Sequence, residues 1–469
     1  MAPLSKSNGS AQSNESQPPD NMKVTIVGGG GFRTPISWEA IALVPGVEQV
    51  TLHDIDRRRL ASVAAAIEGL RREGIEGPPV STTTDLAAAV EDSDFVLCAI
   101  RVGGLEARVV DERVPIQHGV LGQETIGPGG ICFALRTVPV ALRIAQTVAA
   151  RAPHAWFLNF TNPAGLVTEA VHTVLGDRAV GICDAPAALF ARVAAALHRE
   201  PRQLRFDYSG LNHLGWLLNV YEGEQELLAG LLDNDERLSH IEEARLLGLE
   251  RTRALGMLSN EYLIYYTAAG GISETIKRSG LTRAQVILEQ ERSFYAASPQ
   301  DPQASLAAWR RARDARFGSY MAEARGALAR DQSSYTGSSD TDGVMGYAAI
   351  AAAFMRAIAG RGPATIVLNV ANRGRIQELD DHAVVEVPCD VTKGAIETQR
   401  VGRLPASQRT MIERVKSVDR LTIRASQEGS RALALEAMAL HPLVPSRAVA
   451  ELIINDYFVA LPSLAESLP

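Results

Sequence analysis

The 469-residue sequence predicts a doubly wound parallel α/β sheet followed by a mixed α+β region. Three observations carry that expectation. Short apolar runs alternate with helical stretches over the first part of the chain. The first of those runs ends in four glycines, Gly28 to Gly31. Beyond about residue 205 the alternation gives way to a strand pair and long helices. The expected organisation is a tail over 1–21, a nucleotide-binding domain over 22–205 and a mixed domain over 206–469.

The run Val24 to Val27 reads as a buried strand. Glycine has no Cβ, so the turn after it can be tight and can approach a ligand closely. The stretch after Pro35 reads as helical. A strand, a glycine turn and a helix N-terminus suit a dinucleotide pyrophosphate. Free N–H groups and the positive end of the helix dipole then face the anion. Gly28 and Gly30 fit the start of G-x-G-x-x-G, with Gly29, Gly31 and Phe32 between and after them and Arg33 at the third glycine position. Val50 to Asp54 is the next strand. Asp54 lies about 20 residues past the glycines, where a carboxylate takes the ribose hydroxyls of NAD and repels the phosphate of NADP. Asp56 is the alternative for that role, and a cap for the next helix is the other reading of Asp54.

The later elements follow in order. A helix runs from about 57 to 73, a short strand from Ser81 to Thr84, and a buried strand from Phe95 to Ile100. Ala155–Phe160 and Ala179–Cys183 continue the parallel pattern. Phe206–Leu211 and Leu214–Tyr221 form a strand pair joined at Asn212-His213. Helices are expected over about 238–256, 303–330, 343–360 and 405–458, with strands at Ala364–Val370 and Ala383–Val387.

Composition excludes several classes. The chain is 46% hydrophobic and 22% charged, an ordinary globular mixture. A net charge of -7 offers no basic footprint for nucleic acid. No apolar run of about 20 residues suggests a membrane span. Residues 1–21 lack the apolar core of a secretory signal. Four scattered cysteines suit a reducing cytoplasm better than a disulfide scaffold.

Polar groups cluster where parallel strands end, the edge at which open α/β sheets bind ligands. They are Arg101 with Arg108, Asn159 with Asn162, and Cys183 with Asp184. The glycine-dense stretch Gly119–Gly130, with Gln123 and Glu124, reads as a shaped loop or a plain surface loop. Cys183 and His213 are two candidate ligands for a transition metal, against a buried thiol and a packed imidazole. Two ligands are too few for a structural zinc site and leave room for substrate. Tyr262, Tyr265 and Tyr266 share a helical face, suited to the core or to acid–base work.

In this order the motifs identify a family. The chain resembles the NAD- and divalent-metal-dependent glycosidases of glycoside hydrolase family four. The resemblance rests on Ile26-Val-Gly-Gly-Gly30, Arg101-Val-Gly-Gly-Leu-Glu-Ala-Arg108, Gly122-Gln-Glu-Thr125, Asn159-Phe-Thr-Asn-Pro163, Gly181-Ile-Cys-Asp184, Gly210-Leu-Asn-His213, Tyr262 and Asn369-Val-Ala-Asn-Arg-Gly374. It implies a nucleotide domain like that of lactate and malate dehydrogenases, and a mechanism in which hydride leaves C3 of the sugar for NAD. A metal, usually manganese, polarises the C3 oxygen, a base removes the C2 proton and the C1 substituent is eliminated. Water then adds and the hydride returns.

By resemblance Cys183 and His213 bind the metal, Tyr262 is the base at C2, and Asp184 is the general acid proposed in some members. Asn162 holds sugar hydroxyls, Glu124 orients neighbouring groups, and Arg108 and Arg283 grip a substrate 6-phosphate. Asn159 lies with Asn162 beside the nicotinamide. One departure stands out: related phospho-glycosidases commonly carry Ser where this chain has Gly31. The expected activity is a 6-phospho-β-glucosidase acting on a phosphorylated disaccharide or aryl glucoside, as a homodimer or homotetramer. A 6-phospho-α-glucosidase and an unphosphorylated glycosidase are the family alternatives. A hydroxy-acid dehydrogenase and a non-catalytic nucleotide sensor are the readings from other classes, and the Cys183–His213 pair argues against the dehydrogenase.

Overall fold

The computed structural model describes residues 21–322 and 346–468. All but Asn21 of the expected tail lies outside the described residues, as do 323–330 and 343–345 of two expected helices.

Six parallel strands build the nucleotide half. They are β1 (Met22–Val27), β2 (Val47–His53), β3 (Val80–Thr83), β4 (Phe95–Cys98), β5 (Trp156–Asn159) and β6 (Ala179–Gly181). They lie in the order β3-β2-β1-β4-β5-β6, with the strand order reversing between β1 and β4. Most of these strands are apolar along their length because helices cover both faces. The predicted doubly wound fold is present.

The second half adds β7 (Arg205–Leu211), β8 (Leu214–Glu222), β9 (Gln225–Glu226), β10 (Leu258–Ser259), β11 (Ala364–Ala371), β12 (Val384–Thr392) and β13 (Ala395–Thr398). These strands continue the same sheet past β6, in the order β11-β12-β7-β8-β10, all antiparallel. One sheet therefore runs through both halves. The junctions are narrow. β6 meets β11 only at Gly181 and Asn369, and β12 meets β7 only at Gly210 and Glu386.

Several expected helices differ. The stretch 238–256 is three short helices, Asp235–Ser239, Glu242–Leu247 and Leu249–Leu255, with Gly248 breaking the last two at φ +96°. The stretch 405–458 is also three, Ala406–Glu428, Arg431–Leu440 and Arg447–Ala460. The first of these ends at the left-handed Gly429, and Ser430 caps the second. The expected loop over Gly119–Gly130 turns helical from Gly127, opening a 25-residue helix to Arg151. That helix is long and apolar enough to cross a membrane, contrary to the expectation from the sequence. Its most apolar stretch is 61% buried, against Ala164–Leu175 and Ala406–Glu428.

Candidate active site

A cavity of about 2450 Å³ runs along the strand ends of the sheet. One end is lined by Gly28, Gly31, Phe32, Asp54 and Arg59, and the other by Asn162, Asp184, Glu261, Tyr262, Tyr265 and Tyr320; Arg33 approaches this second end through Asp184. Arg101, Arg108, Glu124, Arg283 and Arg316 also line it.

The glycine turn is shaped by close approach. Gly28 has φ +87°, and a Cβ there would sit 2.5 Å from the Ala99 carbonyl oxygen. The glycine N–H groups are not free, contrary to expectation. Those of Gly28 and Gly29 donate to the His53 carbonyl at 2.9 and 2.8 Å, and that of Gly31 to the Gly28 carbonyl at 2.9 Å. The Gly30 N–H donates to Asp54 Oδ2 at 3.0 Å. The glycines therefore bring backbone close to the cleft rather than donating to it. The cap of the next helix is Asp56, whose carboxylate accepts from the Arg58 and Arg59 N–H groups. That leaves Asp54 turned to the cavity. Phe32 is buried edge-on against Phe294. Arg33 lies over the Tyr347 ring, 4.9 Å from its centroid.

The arginines form a wall held from behind. Glu124 Oε2 accepts from Arg101 at 2.5 Å and Arg108 at 3.0 Å. Burial alone would raise the Glu124 carboxyl, but Arg101 and Arg108 outweigh it and lower it to about 2. Arg108 also pairs with Glu112 at 2.7 Å, and Glu112 accepts the Ala284 N–H at 2.7 Å. That bond ties Arg108 to the helix opened by Arg283. Arg283 donates to Ser319 Oγ at 2.7 Å and to the Arg316 carbonyl at 3.1 Å. The Arg316 guanidinium pairs with Glu291 and lies 5.5 Å from the Phe32 ring centre.

His213 and Tyr262 stack face to face, 3.5 Å between ring centres at 8°. His213 sits in the two-residue turn between β7 and β8 at φ +63°. Its imidazole is buried, which lowers its pKa to about 3 and keeps the ring neutral. Thr125 Oγ1 donates to Gln123 Oε1 at 2.9 Å, so its one proton is committed. Thr125 must then accept from His213 Nδ1, 3.0 Å away. That tautomer leaves a bare lone pair on Nε2, which is buried with no hydrogen-bond partner among the described residues. A neutral imidazole with an unpartnered lone pair fits a metal ligand. Cys183 is buried at the end of β6, and burial pushes its thiol up. Among the described residues no third His, Cys, Asp or Glu joins a metal cluster. Neither Cys183 nor His213 lines the large cavity itself; Tyr262 and Asp184 do.

Other expected residues fall differently. Asn159 does not line the cavity. It is fully buried, and its amide donates to the Thr161 and Ala164 carbonyls and to Thr168 Oγ1 while accepting from the Thr161 N–H. Its reading as a cofactor contact is therefore corrected to shaping the loop that carries Asn162. Tyr262 and Tyr265 face the cavity, whereas Tyr266 stacks on His441. Trp216 is buried in the core.

Two acids escaped the sequence reading. Glu386 on β12 is fully buried and accepts from Tyr208 at 2.9 Å, Asn212 at 3.0 Å and Asn369 at 3.1 Å. Burial raises it to about 7 against those three bonds. It braces the Asn212-His213 turn. A charge set among the valines of Val384–Val387, at the start of β12, was the available signal. Glu261, beside Tyr262, was the other; adjacency was its only signal.

Comparison with known proteins places the molecule. The family model described as family 4 glycosyl hydrolase matches residues 23–199, and its C-terminal domain matches 208–444. A probable 6-phospho-beta-glucosidase of Bacillus subtilis (strain 168) is 31% identical over 455 residues, 94% of this chain and 96% of the relative. The solved 6-phospho-beta glucosidase of Thermotoga maritima, with NAD and glucose-6-phosphate, is 25% identical at TM-score 0.77, covering 94% of this chain and 99% of that one. A solved 6-phospho-alpha-glucosidase from gut microorganisms, with NAD and Mn2+, is 25% identical at TM-score 0.74, covering 95% and 99%. The chain also shares its fold with a solved lactate dehydrogenase and a solved malate dehydrogenase, each at TM-score 0.50. Both halves of the chain match in order and nearly end to end, so this protein belongs to glycoside hydrolase family 4.

Proposed function

We propose that this chain hydrolyses 6-phospho-β-glucosides, using NAD and a divalent cation such as manganese. The observation that carries this reading is one cavity shared by the glycine turn, Tyr262 stacked on His213, and the arginines 101, 108, 283 and 316. A dinucleotide, a base beside a metal ligand and an anion-gripping wall are what the family chemistry needs.

When bound, NAD supplies a reversible oxidation at C3, and the cation supplies Lewis-acid polarisation of the C3 oxygen while opposing the burial that pushes the Tyr262 phenol well above its usual range. Cys183 and His213 would hold the cation, with Thr125 fixing the His213 tautomer. Asn162 orients sugar hydroxyls. Tyr262 removes the C2 proton. The proton for the departing C1 oxygen comes from a carboxyl of the cavity wall, where Asp184 and Glu261 stand. Arg108 and Arg283 hold the 6-phosphate by their forked donors. At Gly31 a Cβ would sit 2.9 Å from the Gly28 carbonyl oxygen, so the serine common in relatives would not fit this turn without a shift.

Nitrophenyl 6-phospho-β- and 6-phospho-α-glucosides, with NAD and manganese, separate the anomers. Cleavage of the α-substrate alone favours the phospho-α-glucosidase reading that some relatives carry by name. Cleavage confined to unphosphorylated glucosides removes the phosphate assignment to Arg108 and Arg283.

A further inference from the structure

We propose that Glu261 is the acid that protonates the departing C1 oxygen, with Tyr320 and Arg192 as its positioning residues; this rests on reading the site as an eliminating glycosidase. Glu261 precedes Tyr262 in the chain, and both line the same cavity. Its side chain is 7% exposed, and among the described residues the cation paired with it is one it must share. That cation is Arg192, whose Nη2 is 3.9 Å from Oε2. Arg192 is already bound two-pronged to Glu243, with Nε 3.0 Å from Oε2 and Nη2 on Oε1. The Tyr320 hydroxyl donates to Glu261 Oε1 at 2.5 Å, which aims the carboxyl and leaves Oε2 for a proton.

Among the described residues, the groups facing this carboxyl are Arg192 and Asp184 from the Ala185–Ala196 helix and its start, Glu243 from Glu242–Leu247, Tyr320 past Pro302–Gly318, and Tyr262 beside it. Burial raises Glu261 to about 8, against the opposing pull of Arg192 and Tyr320. The acid form is therefore present at neutral pH, as a general acid requires. Asp184, in contrast, interacts with the Arg33 guanidinium.

The protons balance. As Tyr262 takes the C2 proton, the C–H electron pair becomes the C1–C2 double bond and the C1–O bond breaks. The leaving oxygen takes the Glu261 proton and departs as an alcohol or phenol, leaving a carboxylate. Water then adds its hydroxyl to C1 and returns its proton to Glu261, while Tyr262 returns a proton to C2.

The test uses 6-phospho-β-glucosides whose leaving groups run from nitrophenol to phenol to methanol, with NAD and manganese present. Glu261→Gln should keep nitrophenyl cleavage within about tenfold and lose phenyl and methyl glucosides by about 10²–10⁴-fold. Asp184→Asn should show no such dependence on the leaving group. Tyr320→Phe removes a hydrogen bond that favours the carboxylate, so the alkaline limb of its pH–rate profile should move upward. Equal loss on every leaving group in Glu261→Gln, no loss at all, or leaving-group dependence only in Asp184→Asn overturns the assignment. A Tyr320→Phe limb that stays or moves down does the same. A wild-type protein inactive on all 6-phospho-glucosides of either anomer removes the underlying reading; an active wild type with a uniformly impaired variant removes Glu261 alone.

Discussion

The two ends of the cavity are built by opposite means. At the nucleotide end, local backbone does the shaping: four consecutive glycines fold against the His53 carbonyl and the Asp54 carboxylate. At the other end, His213 and Tyr262 are 49 residues apart in sequence and meet ring to ring. Their positions depend on Thr125, Glu386 and Asn369, drawn from three distant segments. The first end survives as a short motif wherever its strand–turn–helix forms. The second exists only when the antiparallel strands are docked on the parallel ones.

That contrast can be broken at chosen points. The largest expected effect is Tyr262→Phe, which should cut kcat by about 10²–10⁴-fold while NAD binding, read by equilibrium titration, stays unchanged. An unchanged kcat would remove Tyr262 as the base. Next comes Gly28→Ala, which puts a Cβ 2.5 Å from the Ala99 carbonyl at a positive φ. A strain of about 1–3 kcal/mol should weaken NAD binding by up to about 100-fold and spare manganese binding. Equal weakening of both would mean the two ends are not independent. Thr125→Val removes the group that fixes the His213 tautomer. Manganese affinity, measured calorimetrically, should fall about tenfold or more with NAD affinity preserved.

The smallest effect concerns pH. Burial lowers His441 to about 3, and its Nε2 accepts the Gly127 N–H at 3.2 Å. The folded state stays unprotonated there while the unfolded state binds a proton below about 6.5. Stability is then lost as pH falls from about 6.5 toward 3. The thermal midpoint of His441→Gln should therefore drop less between pH 7 and pH 4.5 than that of the wild type. Parallel curves would show that His441 carries none of the loss.

Much of the parallel half was legible because its signals are local. Buried strands between two helical layers are nearly continuous apolar runs, and a turn that needs positive φ selects glycine. The antiparallel strands were read at roughly the right places. Their attachment to β6 was not, since it rests on single pairs such as Gly181 with Asn369. The helix over Gly127–Arg151 hid behind glycines that look like loop. Gly122 shows why they are there: a Cβ on it would fall 1.8 Å from the Glu112 carbonyl oxygen. That crowding packs the 119–126 segment against the Gly104–Gln117 helix and brings Gln123 and Thr125 under His213. Asn159 was misread for the same reason in reverse. A polar residue at a strand end faces either the cleft or the loop, and only packing decides which.

The sequence by itself determined the doubly wound half, the glycine turn with Asp54, and the chemical types available at each strand end. These depend on φ/ψ preferences, apolar periodicity and spacing along one short stretch. Tertiary structure decided which groups act together: the stacked His213–Tyr262 pair, the lone pair left on His213 by Thr125, and the carboxyl of Glu261 held by Tyr320. Proton affinity and hydrogen-bond satisfaction depend on burial and on partners far away in the chain, and the order of residues does not encode those distances locally.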